Sequence, residues 1–177
     1  MSALIQTARL DLISLSPAVL RAALDGDRPK MGQLLGVSVP ITWEIRRESM
    51  ELRLRELEAN PALQPWLIRG ISLRSEGMLI GDIGFHSAPI TLPAPSPKSV
   101  ELGYGVLEPW RRRGFAQEAI EAMIQWACDR HEVHRFVLSI SPENQPSQAL
   151  AAKLDFRKVG FQIDEHDGPE DIFERIV

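Results

Sequence analysis

Residues 100–119, VELGYGVLEPWRRRGFAQEA, constrain the fold more than any other stretch of this chain. Val100, Leu102, Tyr104 and Val106 alternate at period two, and Ala116, Ala119, Ile120, Met123, Ile124 and Ala127 recur at spacings of three and four. A strand therefore runs through a proline and three arginines into an amphipathic helix. Phe136, Leu138 and Ile140 mark a further strand. A strand–helix–strand unit over 100–140 requires its paired strands to be parallel and its crossover right-handed. A helix beginning near Gly114 leaves its first N–H groups without intrahelical acceptors, directed at the turn formed by residues 111–114. The helix dipole and the forked donors of Arg111, Arg112 and Arg113 make that turn a place to grip a phosphorylated ligand.

With 177 residues, 44% of them apolar and 25% charged, the chain is expected to form one domain over 1–177 with a sizeable core. A net charge of −4 with a single dense basic cluster argues against nonspecific nucleic-acid binding, which needs a broad basic surface. The lone cysteine, Cys128, excludes an intramolecular disulfide. No stretch approaches the ~20 apolar residues that cross a bilayer, and the N-terminus lacks the pattern of a signal peptide. The expectation is a cytoplasmic protein with no membrane partner.

The remaining chain reads as alternating elements. Residues 9–15 form a short strand, after which Ser16 caps a helix with Pro17 in its first turn, ended by Gly26. Residues 27–41 show little periodicity and are expected to be loop with at most one helical turn. Thr42 is expected to cap a second helix running to Glu58, with Ile45, Met50, Leu54 and Leu57 near one face, ended by Asn60-Pro61. A strand from Trp66 to Leu73 and one over 78–85 make a hairpin about Ser75-Glu76-Gly77. Four prolines between Ala88 and Pro97 predict an exposed loop. A short helix over 145–154 precedes two closing strands, 156–164 and 171–177, joined through His166. The fold class is α/β: a mixed, mostly antiparallel sheet of about six to seven strands with a central parallel splayed pair, flanked by about four helices.

Arg111, Gly114 and Ala116 fit the pattern Q/R-x-x-G-x-G/A. With Thr7-x-Arg9-Leu10-x-Leu12, Asn144-x-x-Ser147 and Lys153-Leu154-Asp155-Phe156 followed by Gly160, the chain resembles the GNAT N-acetyltransferases. The subgroup it resembles includes the ribosomal-protein alanine N-acetyltransferases of the Rim type. Asp155 departs from that subgroup, which usually has glycine there. The resemblance implies acetyl-CoA as cosubstrate and no metal. It implies that Arg111, Arg112, Arg113, Gly114, Phe115 and Ala116 hold the pyrophosphate, that Val106 and Leu107 hold pantetheine by their backbone, and that Asn144 assists. Gly103 and Gly105 fit this picture, since glycine inside a strand costs about 0.5–1 kcal/mol and marks a bulge or a close approach. The implied acceptor is a primary amine, either a protein N-terminus or a small molecule, and a homodimer is compatible with the family.

Acetyl transfer to an amine needs a deprotonated nucleophile, stabilisation of the oxyanion and a proton for the departing thiolate. Glu101 is the candidate base, at the start of the splayed strand. The Val106 N–H or its neighbour is the candidate oxyanion donor. Ser147 is the candidate acid, with water as the alternative, because the only tyrosine, Tyr104, lies in the strand rather than on the 145–154 helix. That missing tyrosine also motivates a second reading, a noncatalytic CoA-binding regulatory module. His131 and His134 lack suitably spaced partners for a metal. His86 and His166 lie next to loops from which they could approach the acceptor, with no position assigned, Cys128 reads as a buried apolar residue, and Trp110, beside the arginines, is a candidate to cover the cofactor.

Overall fold

A computed structural model describes residues 4–44, 46–89, 98–165 and 167–177. Eight strands are hydrogen-bonded in the order β1(Ile5–Gln6), β2(Leu10–Ser14), β3(Arg69–Leu73), β4(Met78–Phe85), β5(Ser99–Val106), β6(Arg135–Ile140), β8(Gly168–Ile176), β7(Arg157–Asp164). Among the described residues there are five α-helices: α1(Pro17–Leu24), α2(Arg28–Leu35), α3(Arg47–Ala59), α4(Phe115–His131) and α5(Gln145–Lys153). The expected α/β class and mixed sheet are borne out, with a two-residue β1 and the helix α2 as additions. Among the described residues, β1–β2, β2–β3, β3–β4, β6–β8 and β7–β8 pair antiparallel, and β5 pairs with β6 in parallel. That parallel pairing joins Ser99, Val100 and Glu101 to Arg135, Phe136 and Val137, and then stops although β5 continues to Val106.

The backbone divides into two compact units. One takes in Met1–Gly84 and Tyr104–Met123; the other takes in Phe85–Gly103 and Ile124–Val177. In the first unit, Leu15, Val19, Leu20, Met31, Trp43, Leu57, Leu67 and Leu79 form a buried cluster. The α1 start is as expected, with Ser16 accepting a hydrogen bond from the Val19 N–H and Pro17 in the first turn. Three expectations fail. Residues 28–35 are helical rather than loop, because Asp27 accepts from the Lys30 N–H, Pro29 fixes the first turn and Gly36, at φ +72°, closes the end. Only Met31 of this helix is buried, so its ends, and not a periodic face, carried the signal. The second helix starts at Arg47, not after Thr42, with no side-chain cap on its first turn. Met50 and Leu57 are buried as expected, while Ile45 lies outside the described residues. The strand expected from Trp66 begins at Arg69, because the Trp66 and Leu67 N–H groups donate back to the Leu63 carbonyl. All five residues of β3 are buried, Arg69 included. Its guanidinium donates to the Leu12 and Pro65 carbonyls, and burial brings its pKa down to about 10.

In the second unit Phe85 stacks on Trp126 at 6.3 Å and tilts against Phe136 at 6.3 Å. Phe136, Leu138 and Ile140 alternate inward along β6, and Phe173 of β8 is buried opposite Leu138. The turn at Asp155 has φ +61°, the left-handed region in which glycine is the least strained residue. Of the Pro-rich segment only Ala88 and Pro89 are described; residues 90–97 and His166 lie outside the described residues.

Candidate functional site

The turn before α4 is shaped by the backbone. Arg111 is extended at φ −65° and ψ 161°, Arg112 is left-handed at φ +59°, and Gly114 is left-handed at φ +81°. Arginine resists positive φ, so the turn holds Arg112 against its own preference, a state that recurs at ligand-gripping loops. Arg111, Arg112, Arg113 and Gly114 are all exposed, whereas Phe115 is buried at the helix start. The first intrahelical bond runs from the Glu118 N–H to the Gly114 carbonyl. The N–H groups of Phe115, Ala116 and Gln117 therefore have no intrahelical acceptor and face the exposed turn.

The first turn of α4 is anchored from the N-terminal strand region. Glu118 accepts from Thr7 Oγ1 at 2.5 Å, from the Arg9 N–H at 2.8 Å and from Arg9 Nε at 2.7 Å. Burial raises the Glu118 carboxyl, but these donors outweigh it and hold the group below its ordinary range. Arg9 also donates to the Arg113 carbonyl at 3.0 Å and lies 4.4 Å over the Phe115 ring. This is the physical content of the Thr7-x-Arg9 pattern: two residues latch a helix start more than a hundred positions away. A cavity of about 470 Å³ beside the latch is lined by Arg9, Arg74, Arg113 and Phe115 among others. Exposed amides, arginine donors and a cavity of this charge fit a diphosphate-bearing ligand. An anionic ligand of that kind is what such a donor set binds.

The strand feeding this turn has part of its hydrogen bonding committed. Arg111 Nε donates to the Val106 carbonyl at 2.7 Å, and the Leu107 N–H donates to the Ile80 carbonyl at 2.8 Å. The Leu107 carbonyl in turn accepts from the Trp110 N–H at 2.9 Å, so both backbone groups of Leu107 have partners within the chain. A Cβ at Gly81 would stand 2.1 Å from the Gly105 carbonyl oxygen, so β4 and β5 approach closely there and only glycine fits. Asp82, beside Gly105, escaped notice in the sequence. Burial pushes its carboxyl up to about 7. Trp110 donates to Glu76 at 2.9 Å, which ties it to the β3–β4 turn.

In the second unit Glu101 sits at the last paired position of β5. Ser139 Oγ donates to Glu101 Oε1 at 2.6 Å, and His86 Nδ1 stands 3.4 Å from the same oxygen. The His86 contact and then, against the opposing effect of burial, the Ser139 hydrogen bond hold the Glu101 carboxyl below the usual carboxylate range. Glu101 is thus an anion at neutral pH, about one-third exposed. The glycine at 103 also finds its reason here: a Cβ would meet His86 Nε2 at 2.9 Å, so the imidazole lies across the strand where a side chain would otherwise stand. Nothing in the sequence joined His86 and Ser139 to Glu101, because His86 follows β4, Glu101 lies in β5 and Ser139 in β6.

Asn144 and Ser147 begin α5. Asn144 Oδ1 accepts from the Ser147 N–H at 3.2 Å and so caps the helix. The Ser147 side chain is half-buried in the first turn. His131 packs its ring 4.7 Å from that of Trp126. Burial pushes the Cys128 thiol up, which keeps it protonated. Among the described residues no group of three or more His, Cys, Asp or Glu could hold a metal, and no helix is long and apolar enough to cross a membrane.

The family described as "Acetyltransferase (GNAT) domain" matches residues 13–157. The N-acetyltransferase YnaD of Bacillus subtilis is 29% identical over 91 residues, covering 51% of this chain and 50% of that protein. The [ribosomal protein uS5]-alanine N-acetyltransferase of Escherichia coli is 33% identical over 63 residues, covering 36% of this chain and 32% of that protein. The chain thus spans about half or less of the length of these curated relatives. Among solved structures, the ribosomal-protein-S5-alanine acetyltransferase of Vibrio fischeri superposes with a TM-score of 0.66 at 16% identity, covering 98% and 96% of the two chains. A Salmonella typhimurium acetyltransferase that modifies the N-terminal serine of ribosomal protein L7/L12 gives 0.66 at 15% identity, covering 99% of each. At those identities the likeness is one of fold. The match over residues 13–157 goes further, and the chain belongs to the GNAT acetyltransferase family.

Proposed function

We propose that this protein transfers the acetyl group of acetyl-CoA to a primary amine by direct attack in a ternary complex. The observation that carries the reading is the exposed turn 111–114, with two left-handed residues, opening onto the unpaired amides of α4. Arg111, Arg112, Arg113, Gly114, Phe115 and Ala116 hold the pyrophosphate, joined by Arg9 at the helix start. Val106 and Leu107 hold the pantetheine arm by their backbone, and Asn144, whose Oδ1 caps α5, assists through its remaining amide group. The nucleotide thioester supplies an activated acetyl group with a thiolate leaving group.

The chain's own side chains manage protons. An α-amino group with a pKa near ~8, or a lysine near ~10.4, must lose a proton before it attacks. Glu101, anionic and exposed in part, takes that proton directly or through water, and His86 and Ser139 fix its orientation. The Val106 N–H donates to the developing oxyanion. Ser147, or water in its place, returns a proton to the thiolate. The relatives that modify alanine or serine termini of ribosomal proteins favour a protein N-terminal amine as acceptor, possession of a small-amine substrate being the alternative within the same chemistry. The protein acts in the cytoplasm on this reading.

Calorimetric titration with acetyl-CoA tests the first half: saturable binding that Gly114→Trp abolishes is expected, and absence of binding rejects the assignment. Thiol release across N-terminal peptides, polyamines, amino acids and aminoglycosides tests the second. The absence of a tyrosine from α5 favours one rival, a noncatalytic CoA-binding regulatory module, which would bind acetyl-CoA yet release no thiol above background with any amine.

A further inference from the structure

β7 ends the sheet order, and the features that blunt an edge, Arg157, Lys158 and a register irregularity, are confined to its first half. Every residue of β7 is exposed apart from a half-buried Asp164. Phe161 and Ile163 stand two apart and so share a face, yet they are 56% and 75% exposed. The register against β8 is irregular between Lys158 and Gly160 and regular from Gly160 to Asp164, with Phe161 opposite Asp171 and Ile163 opposite Pro169. The regular part of the edge is thus the part that bears the apolar pair. Single exposed apolar residues need no explanation, but two on one face of an open edge do.

The charges of the strand select an occupant. Arg157 and Lys158 stand at its start, and Asp164, Glu165 and Asp167 stand at or just beyond its end. A parallel neighbour of the same sequence would set like charges side by side. An antiparallel copy sets the basic start of each strand beside the acidic end of the other, an arrangement that a two-fold axis generates.

We infer that β7 pairs antiparallel with β7 of a second copy of this chain, about a two-fold axis at Gln162. In that register Phe161 lies opposite Ile163 of the second copy, and Ile163 opposite Phe161, so four apolar side chains meet on one face. Gln162 lies opposite itself on the other face. Centring the axis on Phe161 instead would push the ladder into the irregular stretch at Val159. A shift that centres it between residues would oppose apolar and polar faces. The inference stands apart from the transferase reading, since none of these residues belongs to the proposed acetyl-CoA site.

Sedimentation velocity of the whole chain across about 1–100 μM provides the test, a range suited to micromolar association. A concentration-dependent dimer is expected, and F161K/I163K is expected to weaken it by roughly tenfold or more while far-UV circular dichroism is unchanged. Gln162→Cys, in a chain also carrying Cys128→Ser, is expected to form a disulfide between copies on mild oxidation, because a residue on the axis faces itself. Val159→Cys in the same background is not. The crosslinking pair decides the matter if the lysine variant fails to fold. A chain that sediments as a monomer throughout overturns the inference. So does a dimer that ignores F161K/I163K and gives no crosslink through position 162.

Discussion

The turn that opens α4 and the cluster around Glu101 are built from different materials. At the turn, the working groups are backbone amides held by dihedral angles, with Arg112 and Gly114 left-handed and Thr7 and Arg9 latched to Glu118. Around Glu101, they are three side chains from two strands and the residue just past a third, with Ser139 Oγ at 2.6 Å and His86 Nδ1 at 3.4 Å from one carboxylate oxygen. A grip made of backbone is contiguous in sequence and tolerates exchange of its side chains, provided the dihedral angles survive. A cluster made of side chains is scattered in sequence and loses its property when one member changes.

Substitutions that attack each region by its own material sharpen this contrast. The largest effect is expected from Gly114→Trp. A side chain there must adopt φ +81° and meets the Arg9 guanidinium at 3.3 Å, so saturable acetyl-CoA binding by calorimetry should disappear. Single replacements Arg111→Lys, Arg112→Lys and Arg113→Lys should each weaken binding by less than about tenfold, as expected when backbone amides carry the contact. Hundredfold losses at those positions would break the comparison.

Next is Glu101→Gln. Loss of a general base typically costs about 10²–10⁴ in turnover. The deficit should be greatest near neutral pH and shrink as pH rises, because the acceptor amine then sheds its proton unaided. A pH–rate profile parallel to that of the parent would remove Glu101 from the base role. His86→Gln should leave acetyl-CoA affinity unchanged while moving the acidic limb of the profile upward, since the Glu101 carboxyl loses the contact that most lowers it.

A smaller effect is expected at the latch. Glu118→Gln keeps the shape but removes the charge that draws in Arg9, and acetyl-CoA affinity should fall by about three- to tenfold, in line with a partly exposed charged pair. A change of another kind, in stability rather than in binding or turnover, is expected at Asp82. Its folded pKa of about 7 lies above the ordinary value of 3.8, so the folded state binds the extra proton. Its contribution is therefore intact below about pH 4 and is lost as pH rises through 7. Asp82→Asn should raise stability at pH 8 relative to pH 5 by on the order of 1–2 kcal/mol in urea titrations.

The same division explains which parts of the molecule could be read in advance. β5 and α4 declare themselves by alternation and by three-and-four spacing, and the structure places them at Ser99–Val106 and Phe115–His131. The parallel pairing of β5 with β6 follows from the crossover and is present. α2 was hidden because a search for a buried face finds only Met31, while its evidence lay in Asp27, Pro29 and Gly36 at its ends. α3 misled in the opposite way: Thr42 is a good capping residue in a place where the chain does not yet turn helical. Asn144, expected from the resemblance to assist with the cofactor, also caps α5 through its Oδ1.

The sequence by itself determined the α/β class, the strand that enters the arginine turn and the helix that leaves it, since these rest on periodicity and on contacts between near neighbours. Tertiary structure alone decided that Glu118 is held by Thr7 and Arg9, that Glu101 shares an oxygen with Ser139 and His86, and that burial lifts Asp82. Each of those depends on segments brought side by side from distant parts of the chain. Hydrogen bonding and desolvation act over a few ångströms of space, whatever the separation along the chain.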